Sequence, residues 1–255
     1  MIASELRLFR IALQFLTQLP AGAVDNWPRD WLARSAKYMP LVGALVGAIA
    51  GASIIVAAIF LPQPLPTVVG LVIAIAVTGA LHEDGLADTV DAFGGGRTCE
   101  RRLEIMKDSR IGTYGTLALI SVLALKAAAL IALDPVSAAL VMIAGHAGAR
   151  LAPVLTMWML PHAGDSNAKV SQKTSEMTST EVSIAVLFGI IPALILLPAS
   201  AFAIATLIAL AAAAIAALIG QRKIGGYTGD VLGAVEQVFE TVFFISAAAI
   251  IAGPG

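Results

Sequence analysis

Charge is what this sequence has least of. Only 13% of its 255 residues are Asp, Glu, Lys or Arg, about half the fraction usual in a soluble domain. With 58% hydrophobic residues, the chain has too little polar surface to cover itself in water, which excludes a soluble globular protein and points to an integral membrane protein. Cysteine is nearly absent as well. Cys99 stands alone, so no internal disulfide forms. A basic excess is missing too: the net charge is −1, which argues against a general nucleic-acid binder. No period of 20–50 residues repeats and no inverted half-to-half symmetry is visible, which disfavours a repeat-built transporter. A cleavable signal peptide is not expected, because Glu5, Arg7 and Arg10 interrupt the N-terminal apolar run. No polar stretch is long enough to fold alone, so a single domain over 1–255 is expected.

What is present is apolar sequence cut into span-sized pieces. A helix needs about 20 residues to cross the hydrocarbon, and seven segments meet that need, near 41–61, 66–83, 114–133, 136–160, 182–198, 199–220 and 231–252. Before them, residues 4–17 carry Leu6, Phe9, Leu13 and Leu16 at helical spacing, with Arg7 and Arg10 on another face. That segment is too polar to span and reads as an interfacial amphipathic helix. Trp27, Trp31 and Tyr38 beside Arg29, Arg34 and Lys37 suit the headgroup region, so 1–40 is read as interfacial. The expected fold is therefore an all-α polytopic membrane helix bundle, about seven transmembrane helices plus that N-terminal helix. Gly43, Gly47 and Gly51 form two overlapping G-x-x-x-G steps, which predict close packing of another helix on the first span. Tight turns are expected at Asp134-Pro135 and at Pro198.

Basic residues set the orientation. All of the 16 Lys and Arg except Lys126 and Arg150 fall in four segments: the N-terminal region, the 84–113 loop, the 161–181 loop and the 221–230 loop. Seven alternating spans put those segments on one side, which the positive-inside tendency makes cytoplasmic. A multi-pass protein of the cell inner membrane, with its site on the cytoplasmic face, is the expected location.

The densest chemistry lies in His82–Asp91, H-E-D-G-L-A-D-T-V-D. On a helix turning ~100° per residue, Asp84, Asp88 and Asp91 fall within about 60° of one another. Like charges at this spacing destabilise a bare helix by ~0.2–0.5 kcal/mol per pair, so three stacked carboxylates read as a divalent-metal site; the bland alternative is a solvated helix end. Glu83 projects to the side, and His82 points away as a structural residue. Gly94, Gly95 and Gly96 end the helix and let the 84–113 segment fold back as an active-site loop. Its second half, M-K-D-S-R-I-G-T-Y-G (106–115), sets Lys107 and Arg110 around Asp108 and Ser109. Carboxylate-held metal with nearby Lys and Arg is what a diphosphate substrate requires. A further segment, G-G-Y-T-G-D-V-L-G (225–233), offers Thr228 and Gly229 for close approach to phosphate and Asp230 as an extra ligand or base. By spacing alone, Asp230 reads as an ordinary N-cap. His146 and Arg150 at i, i+4, together with Lys126, predict a polar chamber reaching down from the site. His162 has no evident partner.

Three motifs, L-H-E-D-G-L-A-D-T-V-D-A-F-G-G-G (81–96), M-K-D-S-R-I-G-T-Y-G (106–115) and G-G-Y-T-G-D-V-L-G-A-V-E-Q (225–237), resemble those of the cobalamin synthase family, the adenosylcobinamide-GDP ribazoletransferases. F-L-T-Q-L-P (15–20) and Y-M-P-L-V-G (38–43) add weaker support. The chain departs from the pattern at Gln18, where the family often has Arg, and matches only loosely over 161–181. The resemblance implies a Mg²⁺-dependent transferase that joins adenosylcobinamide-GDP to α-ribazole or its 5′-phosphate and releases GMP. It implies Asp84, Asp88 and Asp91 as the Mg²⁺ ligands, with Glu83 behind them, and Lys107 and Arg110 on the leaving group. Asp230 would support metal or nucleophile. Asp108, Ser109, Arg150, Thr228 and Gly229 complete the expected substrate contacts. The partners are the two small-molecule substrates and the lipid bilayer; a homo-oligomer or a complex with other cobalamin-pathway enzymes stays open. Two rivals remain. The CDP-alcohol phosphotransferases also place D-G in an Asp cluster, but here Leu86-Ala87-Asp88 follows Asp84-Gly85 without the Arg of that pattern. A transporter with an aspartate cation site predicts polar residues in most spans, whereas only the third, fourth and seventh carry them clearly.

Overall fold

The computed structural model describes residues 2–22, 24, 27, 30–163 and 177–253. The described residues form helices joined by short turns, with one isolated bridge between His162 and Tyr227. Helix α1 (Ile2–Leu16) is followed by α2 (Trp31–Ser35) and a single 3₁₀ turn (Ala36–Tyr38). Then come α3 (Met39–Phe60), α4 (Leu65–Thr78), α5 (Leu81–Gly95), α6 (Cys99–Met106), α7 (Thr113–Ile131) and α8 (Pro135–Met159). The chain ends with α9 (Ser179–Leu196), α10 (Ala199–Ile224) and α11 (Gly229–Ile251). Six helical segments, those containing α3, α7, α8, α9, α10 and α11, are long and apolar enough to cross a membrane. Large apolar side chains face outward along them, among them Phe60, Ile195 and Leu207, each at least 70% exposed. Water would expel such a surface and lipid accepts it. The fold is a polytopic membrane helix bundle.

Helix α8 is the centre and the most buried of the candidate crossings. Helix α3 lies against it along the three glycines. A Cβ built on Gly47 would meet the Met142 carbonyl oxygen at 2.6 Å, and one on Gly51 would meet that of Ala139 at 2.9 Å; Gly43 abuts the carbonyl of His146. The G-x-x-x-G face thus has its partner. Replacing Gly47 with alanine is expected to push the helices apart and cost about 1–3 kcal/mol, read as a lowered Tm of the detergent-solubilised protein. The two predicted tight turns also hold. Asp134 caps α8, accepting from the Val136 and Ser137 N–H groups at 3.0 and 3.1 Å, and Pro198 separates α9 from α10.

The second span differs from expectation. The apolar run 66–83 is not one helix: α4 stops at Thr78, and Gly79 and Ala80 both take left-handed backbone (φ +64° and +58°). Helix α5 then leaves at 86° to α4. For alanine that conformation costs about 1–3 kcal/mol, and the neighbourhood holds it in place. The Gln18 N–H donates to the Val77 carbonyl at 2.8 Å, and the Gln18 amide lies against Gly79. The aspartates therefore sit on a helix of their own, beside the end of a crossing rather than continuing it.

Helix α1 covers this end of the bundle. It buries Leu8, Ile11, Ala12 and Leu16, while Leu6 and Phe15 stay exposed; the inward face is shifted from the stripe predicted through Leu6, Phe9, Leu13 and Leu16. Glu5 ties it to the 3₁₀ turn, pairing with Lys37 Nζ at 2.7 Å and accepting from the Tyr38 hydroxyl at 2.8 Å. Further contacts gather the basic segments at the same end. Arg102 donates to the Lys223 carbonyl at 2.8 Å, and the Ala163 N–H donates to the Tyr227 carbonyl at 2.7 Å. Lys169, Lys173 and most of the 161–181 loop lie outside the described residues.

Candidate active site

Helix α5 meets the start of α11 with almost no side chain between them. A Cβ on Gly85 would stand 2.9 Å from the Asp230 carbonyl oxygen and 3.2 Å from the Gly233 Cα. This contact sets Asp84 and Asp88, on either side of Gly85, beside Asp230. The charges feel each other. Burial, then Asp84, Asp230 and Asp91, push the Asp88 carboxyl up to about 6. A carboxylate crowded by like charges is poised to take either a proton or a cation.

Asp230 does not cap the last helix. Thr228 does, accepting the Val231 N–H at 3.2 Å on its hydroxyl. The predicted N-cap was two residues out, and the correction leaves Asp230 to face the site. Asp91 goes the other way. It is buried, and its oxygens accept from the Gly112 N–H at 2.6 Å and the Gly115 N–H at 2.9 Å. Both oxygens are engaged in anchoring the start of α7 to α5, which argues against a first role as metal ligand.

The 106–110 segment lies close by, with Met106 buried and its sulfur 3.6 Å from the Thr228 hydroxyl. Its polar side chains, however, face out. Lys107 and Ser109 are exposed. Arg110 grips Asp108, with Nε at 3.0 Å and NH2 at 2.6 Å from the two carboxylate oxygens, and holds that carboxyl down to about 2.

Between these elements and α1 lies a cavity of about 310 Å³. Asp84, Gly229 and Asp230 line it together with apolar side chains such as Phe15, Leu32, Met157 and Leu232. His82, His162 and Tyr227 line it as well. Local pattern singles out neither histidine, because what brings them here is tertiary. His162 follows α8 and is drawn in by backbone pairing with Tyr227. His82 directly precedes the aspartate motif, and that adjacency is its one signal in the sequence.

Glu83 turns inward, away from the aspartates. Its Oε1 accepts from Gln237 Nε2 at 3.0 Å, at the edge of a buried ionic network. Glu240 is the hub: Lys126 Nζ lies 2.7 Å from Oε1, while Arg150 NH1 and His146 Nδ1 lie 2.8 and 2.7 Å from Oε2. Arg150 also reaches Glu236 at 2.6 Å. The predicted chamber is accordingly closed: the space left among Glu83, Lys126, His146, Arg150 and Glu240 is about 10 Å³, room for roughly one water. Arg150 borders both this space and the large cavity, but its charge is committed to the two glutamates. Among the described residues, one trio of potential metal-ligating atoms lies within 4.8 Å of one another, from His146, Glu236 and Glu240. Lys126 and Arg150 already neutralise those oxygens. The aspartates stand farther apart than that trio, and carboxylate oxygens suit a hard divalent ion.

Fold and site together define a multi-pass membrane protein whose acidic site lies beside a broken crossing. A family model described as Cobalamin-5-phosphate synthase matches residues 8–248. An adenosylcobinamide-GDP ribazoletransferase of Leptothrix cholodnii is 42% identical, covering 94% of each chain. Proteins of the same name from Bradyrhizobium diazoefficiens and Shewanella pealeana are 41% and 36% identical, covering 94% of this chain and 92% and 94% of theirs. No solved structure matches. The chain belongs to the cobalamin-5-phosphate synthase family and is a transferase.

Proposed function

We propose that the chain is an adenosylcobinamide-GDP ribazoletransferase, joining adenosylcobinamide-GDP to α-ribazole or its 5′-phosphate with release of GMP. What carries this reading to particular residues is the meeting of Asp84, Asp88 and Asp230 across the Gly85–Gly233 contact, beside a cavity of about 310 Å³. Asp84 and Asp88 would hold Mg²⁺, with Asp230 supporting them. Bound there, the ion would neutralise charge on the diphosphate oxygens.

The chain's own groups do the rest. Asp230 accepts the proton as a ribose hydroxyl of the acceptor attacks the phosphorus on the cobinamide side. The new P–O bond forms as the bond to GMP breaks. Asp91 positions the loop through Gly112 and Gly115, and the exposed Lys107 and Arg110 would have to turn inward to reach the departing GMP. The basic segments gathered at this end support placing it on the cytoplasmic side of the cell inner membrane.

The test uses purified protein with both substrates, with and without chelator. GMP formed only with metal is expected. GMP undiminished by chelator would sink the metal assignment, and none under any condition would sink the activity. A pH dependence follows. The Asp88 carboxyl, raised to about 6, is charged above that pH and protonated below it, so protons compete with the cation as pH falls. The apparent Mg²⁺ affinity is expected to drop roughly tenfold from pH 7.5 to pH 5, read from Mg²⁺ titrations of GMP release.

A further inference from the structure

Two histidines in the cavity wall each keep a ring nitrogen with nothing to bond among the described residues. Among the described residues, the Nδ1 of His82, a residue only 5% exposed, has no hydrogen-bond partner; His162, its ring edge-on to Tyr227 at 5.3 Å between centroids, has an unpartnered Nδ1 as well. Buried polar groups left unpaired are uncommon in folded proteins, and here both rings line the same space. The other walls are mostly apolar. At about 310 Å³ the cavity lies at the lower end of the ~300–1,000 Å³ range of small-molecule pockets. That is room for one nucleoside, and far too little for a corrin ring.

Charge narrows the occupant further. Among the described residues, the cavity's one guanidinium, Arg150, is already paired with Glu236 and Glu240, while Asp84 and Asp230 add negative charge. Without a bound metal, a polyphosphate would meet repulsion from these two carboxylates. A neutral, flat, apolar ring bearing a ring nitrogen would bury its faces against the apolar side chains and meet an imidazole with its edge.

Building on the transferase reading above, we infer that this cavity is the subsite for the acceptor nucleoside, holding its heteroaromatic base among Leu32, Met157 and Leu232 with His82 and His162 as hydrogen-bonding partners. The acceptor's ribose then lies toward Asp84 and Asp230, and the cobinamide-GDP must approach from outside the cavity. His82 and His162 are binding residues in this scheme.

Two variants of the full-length protein test it, His82→Ala and Leu32→Trp, the second narrowing the cavity from the small helix α2. Each is expected to raise the KM for α-ribazole about tenfold or more, with the KM for adenosylcobinamide-GDP within about twofold of the parent. A KM change that falls on adenosylcobinamide-GDP, or on neither substrate, would overturn the inference. The unsubstituted protein supplies a measurement independent of variant folding. α-Ribazole alone, with chelator present, is expected to raise its Tm; no rise at millimolar α-ribazole would also overturn the inference. If the unsubstituted protein forms no GMP from the two substrates, the transferase reading itself fails. If it forms GMP while the variants leave the α-ribazole KM unchanged, only the subsite is lost.

Discussion

Asp84→Ala should lower GMP release by roughly three orders of magnitude, about 4 kcal/mol at 1.36 kcal/mol per decade. Asp88→Ala should do the same. Both residues lie on α5 beside Asp230, and removing either deletes an oxygen donor and leaves the diphosphate charge poorly compensated. Neither change should impair folding, because the like-charge repulsion that raises the Asp88 carboxyl is relieved. Release of GMP and Tm, measured on the same preparations, separate the two effects. Asp91→Ala offers a contrast. It removes the acceptor of two backbone N–H groups, so its Tm should fall and its turnover should suffer less than that of Asp84→Ala. Turnover of Asp84→Ala within tenfold of the parent would rule the carboxylate out as a metal ligand.

The second large effect is on stability. Glu240→Ala removes the shared partner of Lys126, His146 and Arg150 and strands Lys126 inside the bundle without a counter-charge, while Arg150 keeps Glu236. Breaking a buried ion pair from one side costs about 3–5 kcal/mol, a large share of the ~5–15 kcal/mol that holds a typical fold. Little folded protein should survive detergent extraction, and what does should melt well below the parent. Glu240→Gln keeps the shape and loses the charge, so it should fail similarly. Lys126→Met should be milder, since Arg150 and His146 remain to balance Glu240. A Tm of Glu240→Ala within about 2 °C of the parent would show that the network contributes little.

The sequence was most informative where one segment decides the outcome. Long apolar runs, the Asp134-Pro135 and Pro198 turns, and the glycine face of α3 could all be read from local pattern, because each follows from hydropathy, turn chemistry or side-chain size. The aspartate face could be read too, since helical spacing alone aligns it. What was hidden depends on distant partners. Hydropathy runs straight through Thr78-Gly79-Ala80, and nothing local forbids one helix; the break rests on Gln18, some sixty residues earlier by sequence number. Asp91 looks like its neighbours until Gly112 and Gly115 are seen to claim it. Glu83 follows the same rule, facing Gln237 rather than the aspartates it adjoins. Lys126, His146 and Arg150 were marked as unusual, but only the fold shows them converging on one carboxylate.

The break between α4 and α5 has a consequence for competing hydrolysis. Fourteen residues of α4 rise ~21 Å, against ~30 Å of hydrocarbon. Were α4 to begin at one headgroup layer, the chain would turn at Gly79-Ala80 before reaching the other, and α5 would start below it. A phosphoryl group held there would sit in a shallow well, with lipid and helix α1 around it and bulk solvent on one side. Water is the natural rival of any acceptor hydroxyl at an activated diphosphate. Recessing the carboxylates lowers the supply of that rival, while an apolar nucleoside is drawn in. On this view the missing third of a span favours transfer to the acceptor over loss of the activated donor to solvent.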